Sequence, residues 1–309
     1  MKYALVISVL VASVTVLAGD QPQFKSGVEL VYLDVTVQAP DGSIVRGLTK
    51  DDFLIYDEDA RQDVAVFSAE PAPISVGVLI DTSGSMTGER MASAIRAADA
   101  LGRSLQPGDQ WSISTFDSTR RTMISWRAYN PAVANSLRAM PTSGSTELFR
   151  AVTDMVPYMQ ETPHRKRAML LMTDGIDNSI ISASRDGVRD PFTAPIVMET
   201  SAKAQAALRE GEVLLYALGI NVADGANAVH VPSLQRIAEP TGGSVIIAST
   251  IREVEAAAQR IADELRQQYT LGFYPQSAGD KTYRRITVQT RHPDYRVRTR
   301  AGYQTATSK

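Results

Sequence analysis

Residues 74–90 read ISVGVLIDTSGSMTGER. From Ile74 to Ile80 only Ser75 and Gly77 interrupt the apolar side chains. A strand with so little alternation is covered on both faces, as in a parallel sheet lying between helices. Asp81, Thr82, Ser83 and Ser85 then crowd its end. In an open α/β sheet, ligands bind outside the carboxyl ends of the strands. A carboxylate and three hydroxyls at that place raise the question of what they hold.

The surrounding sequence repeats the pattern. AMLLM (168–172) and VLLYALGI (213–220) are also apolar throughout. Helical stripes lie between the runs: Met91, Ile95, Ala98, Leu101 and Leu105 form one. Ile251, Val254, Ala258, Ile261 and Leu265 form another, opened by the capping box Thr250-Ile251-Arg252-Glu253. WSISTF (111–116) and TMISW (122–126), joined by a polar link, read as a hairpin at a sheet edge. Strand and helix alternate from 72 to 268, which predicts a doubly wound, mostly parallel α/β domain.

The flanks have a different texture. In VYLDVTVQ, Val31, Leu33, Val35 and Val37 face one way, with Tyr32, Asp34, Thr36 and Gln38 toward water. Phe53 and Ile55, then Val64 and Val66 beyond a polar turn, keep the period of two. It returns after 268 at Leu271 and Phe273, Ile286 and Val288, Tyr295 and Val297. Residues 27–70 and 269–305 are each too short to bury a core alone. They are expected to pair into one small β domain with the α/β domain inserted between them.

The chain has 309 residues, 44% hydrophobic and 21% charged, with a formal net charge of −2. That balance gives no reason to expect nucleic acid or an anionic membrane as partner. MKYALVISVLVASVTVLA (1–18) has a basic start, a short apolar run and small residues at Val16 and Ala18. It reads as a signal peptide of an exported protein, periplasmic or secreted; a membrane association enters only if this segment stays uncleaved. There is no cysteine, so disulfides, thiol catalysis and soft-metal sites are excluded.

Asp81, Ser83 and Ser85 follow the first buried run as Asp-x-Ser-x-Ser. Asp174 follows the second, in LLMTDGIDN, and Thr146 lies in SGSTELFRAV before a helix. The predicted fold carries all three segments to one edge. Two carboxylates and three hydroxyls are hard oxygen donors, which select Mg²⁺, Mn²⁺ or Ca²⁺. Two negative charges balance one divalent ion and leave a coordination position open to an outside acid. Each residue alone is an ordinary cap or turn residue; the joint pattern carries the reading.

DTSGSM after a buried strand, GST before a helix and TDG after another strand resemble the metal-ion-dependent adhesion site of von Willebrand factor type A domains. The resemblance implies hydroxyl ligands from Ser83, Ser85 and Thr146, with Asp81 and Asp174 binding directly or through water. It also implies loop movements that reposition the last helix, near 250–268. GLTKDDFLIYDED, YTLGFYP and YRVRTRAGY in the flanks resemble a bacterial exported subfamily.

Other polar residues have plainer readings. Asp117 starts a hairpin turn and Asp177 is solvated, unless either supports the ligands from behind. Glu147 answers a helix dipole, and Asp57-Glu58-Asp59 is a turn. His164-Arg165-Lys166-Arg167 is a solvated connection, and His230 and His292 are surface residues. No histidine lies in the three motif segments, so a general base is missing and an enzyme is not expected. The favoured function is a protein-binding module of the cell envelope whose ion recruits an exposed Asp or Glu of a partner, with no small-molecule substrate. The alternatives are a metal-stapled structural subunit or a Mg²⁺-dependent hydrolase.

Overall fold

The computed structural model describes residues 30–131, 141–174, 193–222, 229–275 and 282–305, without the side chains of 193–198. The expected signal segment 1–18 and Asp177 lie outside the described residues. Among the described residues no helix is long and apolar enough to cross a membrane.

The strands, in chain order, are β1 (Val31–Gln38), β2 (Phe53–Asp57), β3 (Ala60–Gln62), β4 (Val66–Ser68), β5 (Ile74–Asp81), β6 (Gln110–Phe116) and β7 (Arg120–Arg127). They continue with β8 (Lys166–Thr173), β9 (Val213–Ile220), β10 (Val245–Ala248), β11 (Tyr269–Phe273), β12 (Tyr283–Thr290), β13 (Arg296–Arg298) and β14 (Gly302–Gln304). The α-helices are α1 (Glu89–Ser104), α2 (Leu148–Gln160), α3 (Thr193–Glu210), α4 (Val231–Ala238) and α5 (Ile251–Gln267).

The central sheet runs β10-β9-β8-β5-β6-β7. All neighbours in it are parallel except the edge hairpin β6–β7. Every residue of β5 and β9 is buried, because helices cover both faces. Val76, Val78 and Ile80 join one core with Ile95 and Leu101 of α1 and Ile261 and Leu265 of α5. Leu79 joins the opposite core with Val152 and Met155 of α2 and Leu208 of α3. Gly77 sits under this packing: a Cβ there would stand 2.4 Å from Met159 Sδ and 2.6 Å from Met155 Cε, so a larger residue would push these two flexible thioether ends aside. The chain leaves β5 for β6 on one side and returns through β8 on the other, which opens a crevice at the carboxyl ends of β5 and β8.

The flanking strands form two further sheets, β13-β1-β11-β4 and β14-β12-β2-β3. Each mixes strands from before and after the α/β domain: Leu33 pairs with Leu271, and Ile55 with Val288. Together they enclose one core holding Leu33, Val35, Ile55, Leu271, Phe273 and Val288. So the single unit expected from sequence is a pair of sheets. The polar DEDARQD stretch contains β3, which turns back on β2 through Glu58 and Asp59.

The face of β1 assigned to water faces the α/β domain instead. Thr36 is 1% exposed; its hydroxyl donates to Glu264 of α5 and accepts from Gln268. Asp34 takes Arg165 at 2.8 Å. The 164–167 stretch is correspondingly not a solvated connection. Lys166 is 3% exposed, and its ammonium donates to the last-turn carbonyl of Leu265 at 2.6 Å. A helix C-terminus presents unpaired carbonyls and a partial negative charge, which explains a lysine buried there. Asp57 also departs from a turn reading: it is fully buried and bound by Arg284 and the Tyr303 hydroxyl.

Candidate metal centre

The site begins where β5 stops. Asp81 is fully buried. One of its oxygens accepts from the Ser83 N–H at 2.9 Å, an Asx-type turn that bends the chain away from the strand. Thr82 points backward: its N–H and hydroxyl both donate to Phe116 O of β6, at 2.7 and 2.9 Å. That fixes why the pattern is Asp-x-Ser, with Thr82 spent on the neighbouring strand. The Ser83 and Ser85 hydroxyls lie 3.1 Å apart. Met86, fully buried in the core against α1, anchors the loop from below.

The second segment is laced onto the first. Ser143 N–H donates to Thr82 O at 2.9 Å, and Gly84 N–H to Gly144 O at 3.3 Å. Gly144 has φ +84°, a left-handed conformation that other residues resist. Glu147 N–H donates to Asp117 O at 3.0 Å, tying this loop to the β6–β7 turn as well. Thr146, between these ties, is 2% exposed. Asp117 is the hairpin residue, bonded to Thr119 N–H and Arg121; Glu147 is the N-cap of α2 and pairs with Arg150.

The third segment ends β8. Thr173 donates its hydroxyl to the other Asp81 oxygen at 2.7 Å, so adjacent strand ends are joined side chain to side chain. Asp174 follows, fully buried. Neither of its carboxylate oxygens has a hydrogen-bond partner among the described residues. Burial pushes the Asp81 carboxyl up to about 6; bonds from Ser83 and Thr173 oppose this, and the Asp174 charge adds to it. Mutual repulsion of that kind requires the two carboxylates to be near neighbours.

One participant carries no signal in the spacing of the motifs. Arg90, in the first turn of α1, is 6% exposed. Its guanidinium donates to Ser85 O at 3.0 Å and stands 3.5 Å from an Asp174 oxygen without a hydrogen bond to it. An arginine one residue before Met91 of the helical stripe looks like a boundary residue; only the approach of α1 to the strand ends turns it inward.

All five sequence-predicted residues thus lie on three segments that meet at the carboxyl edge. The donor set suits a hard divalent cation: oxygen only, two carboxylates, three hydroxyls. No group of three acidic, histidine or cysteine side chains converges among the described residues, so any ion held here would depend on the hydroxyls. The orphaned Asp174 oxygens are the observation that fits an ion. A buried carboxylate without donors is costly, and a cation removes that cost. Of the histidines, His164 bonds Ser75 at the opposite, amino end of β5, His230 bonds Ser233, and His292 lies beside Tyr295.

Residues 76–176, which contain all five positions, match the family model of the von Willebrand factor type A domain. A curated relative, Protein NorD of Brucella suis biovar 1 (strain 1330), is 26% identical over 134 residues, 41% of this chain and 19% of that protein's length. A von Willebrand factor type A structure from Catenulispora acidiphila aligns over 91% of this chain and 74% of its own at 12% identity, with a TM-score of 0.49. The corresponding domain of the type V pili tip protein Mfa5 from Porphyromonas gingivalis aligns over 63% of this chain and 95% of its own at 17% identity, TM-score 0.49. The α/β part of this chain is thus similar to von Willebrand factor type A domains over residues 76–176.

Proposed function

We propose that the protein is a divalent-metal-dependent binding module of the bacterial cell envelope that captures an acidic side chain of a partner protein. Asp81 and Asp174 would hold the ion with Ser83, Ser85 and Thr146, and Mg²⁺, Mn²⁺ or Ca²⁺ would suit them. When bound, such an ion supplies a positive centre with a position free for an outside carboxylate. The rest of the work belongs to the chain. The Asp81 turn and the Ser143 and Gly84 ties fix the loops before binding, which lowers the ordering cost of association. Arg90 adds a second positive charge behind Asp174, favouring an anion over a neutral ligand.

The carrying observation is the pair of buried Asp174 oxygens without donors among the described residues, near a second buried carboxylate. A hydrolase reading lacks a base: Ser83 and Ser85 are hydrogen-bonded to each other, and neither bonds a histidine. The export proposed here rests on the signal-like residues 1–18.

Titration calorimetry of the chelator-stripped protein with Mg²⁺ and Mn²⁺ tests the site. We expect one equivalent bound, and none in Asp174→Ala. Capture of exported proteins on the immobilised chain, with Mg²⁺ and with chelator, tests the recruitment. The captured set should change on chelation, and Asp81→Ala should reproduce the change. A Mg²⁺-dependent rise in Tm with an unchanged set would make the ion a structural staple and overturn the recruitment.

A further inference from the structure

A second binding surface lies away from the candidate metal centre, where the free edge of the central sheet faces the β flank. A groove of about 790 Å³ runs there, within the range of functional pockets. One wall is β10, the last strand of the sheet. The other is built from β12 and β13.

The backbone of β10 shows how the groove could be used. Ser244 O and Ala248 O accept from Ala217 N–H and Asn221 N–H of the β9 side, both at 2.9 Å. In a parallel ladder bonding residues alternate, so Ser244, Ile246 and Ala248 face β9. Val245 and Ile247 therefore turn their N–H and C=O groups into the groove. Ile247 is also 39% exposed, one of few large apolar side chains so placed. An open edge with an exposed isoleucine invites another strand, and proteins normally blunt or cover such edges.

The charge of the groove says what kind of strand. Arg260, Arg296, Arg298 and Arg300 line it, against Glu239 and Glu264. Arg298 is engaged by Glu264 and Arg300 by Glu212. Arg260 and Arg296 have no carboxylate within ion-pair distance among the described residues; Arg260 donates only to Gly42 O, at 3.3 Å. The surplus is positive, from Arg260 of α5 and Arg296 of β13. A second copy of this chain paired edge to edge would bring arginines against arginines, which is unfavourable.

We infer that β10 accepts an extended segment of a partner protein, with alternating apolar and acidic residues, as an added strand of the sheet. The main-chain groups of Val245 and Ile247 supply the pairing, and Arg260 and Arg296 select acidic side chains. This is strand addition with charge selection, and it needs no metal ion.

The test uses a fluorescein-labelled, end-capped hexapeptide alternating valine and glutamate, followed by anisotropy on the full chain. A peptide with lysine in place of glutamate is the control. We expect the glutamate peptide to bind at least about tenfold tighter, with affinity falling as salt rises. Ile247→Pro removes a groove-facing N–H that carries no ladder bond, so the edge strand tolerates it. It should weaken binding about tenfold. The double variant Arg260→Glu, Arg296→Glu should do the same without touching the strand. Chelator and Asp81→Ala should leave binding unchanged, which separates this surface from the ion site. Equal binding of the two peptides, no binding of either, or indifference to both variants overturns the proposal. So does a dimer lost in Ile247→Pro, or binding to anionic phosphatidylglycerol vesicles that the double variant abolishes.

Discussion

Two buried carboxylates in this molecule have opposite surroundings. Glu264, at the seam between α5 and the β flank, is 3% exposed. It takes hydrogen bonds from the Tyr216 hydroxyl at 2.7 Å and Thr36 at 3.3 Å, and an ion pair from Arg298. Asp174, at the strand edge, is equally buried and takes none among the described residues; Arg90 stands at 3.5 Å. Burial alone therefore does not mark a functional acid. A carboxylate saturated by its own chain holds two domains together, whereas one left short of donors is the kind that a bound cation would satisfy. Burial and the Glu264 charge also push the Tyr216 phenol well above its ordinary value, which keeps it a donor.

The sharpest way to break the contrast is to remove the saturated acid. Glu264→Ala strands Tyr216, Thr36 and Arg298 in a low-dielectric seam. Breaking a buried pair by removing one partner costs about 3–5 kcal/mol, and we expect that loss in urea unfolding, with or without Mg²⁺. A loss below about 1 kcal/mol, the level of an exposed pair, would mean that the seam is solvated and that the contrast is false.

Arg90→Met attacks the other side. It removes the guanidinium beside Asp174, and in chelator we expect a loss of about 3 kcal/mol. Here, unlike at Glu264, saturating Mg²⁺ should restore most of it. At a hundred times Kd, mass action contributes about 2.7 kcal/mol. If Mg²⁺ raises the Tm of neither protein, the ion is not held at these carboxylates.

These contrasts also show what could be read from the chain alone. The nearly continuous apolar runs dictated the parallel sheet, because a strand such as Ile74–Ile80 must be buried on both faces. Once the sheet was placed, its carboxyl edge drew Asp81, Thr146 and Asp174 together. The flanking strands were legible by their period of two, but the second face of β1 is half-buried against the α/β domain and the period identifies only the first. Nothing in VYLDVTVQ distinguishes Thr36 facing water from Thr36 facing Glu264, 228 residues away in sequence. The same limit hid Lys166 and Arg90, whose partners are carbonyls and an acid on remote elements. β14 has only the residues Gly302–Gln304, too few to show a period. The Thr250 cap was half legible. Its hydroxyl accepts from Glu253 N–H as expected, but the Glu253 carboxylate takes the Ser249 N–H instead of that of Thr250.

A buried lysine at the seam sharpens the comparison through pH. Burial lowers the Lys166 ammonium from 10.5 to about 8. The folded chain therefore releases this proton near 8, and the unfolded chain keeps it until about 10.5. Between those values the unfolded state binds more protons, so stability rises with pH. Integrated from pH 7.5 to 9.5, the gain is about 2 kcal/mol. Lys166→Met should lack this rise. An identical pH slope in both proteins would place the wild-type ammonium in water.

The smallest effect is the most diagnostic, because its sign separates the two acids. Asp81→Asn keeps the geometry: the amide oxygen can accept from Ser83 N–H, and the amide nitrogen can donate to the Thr173 hydroxyl. It removes a buried negative charge and the repulsion of Asp174. A satisfied structural acid loses stability on such a change, as Glu264 should. Asp81 should gain about 1 kcal/mol in chelator, the scale of one relieved polar burial, while its response to Mg²⁺ disappears. A gain in the absence of the ion together with a loss of response to it is the signature of a residue kept for a ligand at the expense of the fold. A loss in both conditions would assign Asp81 to the same structural role as Glu264.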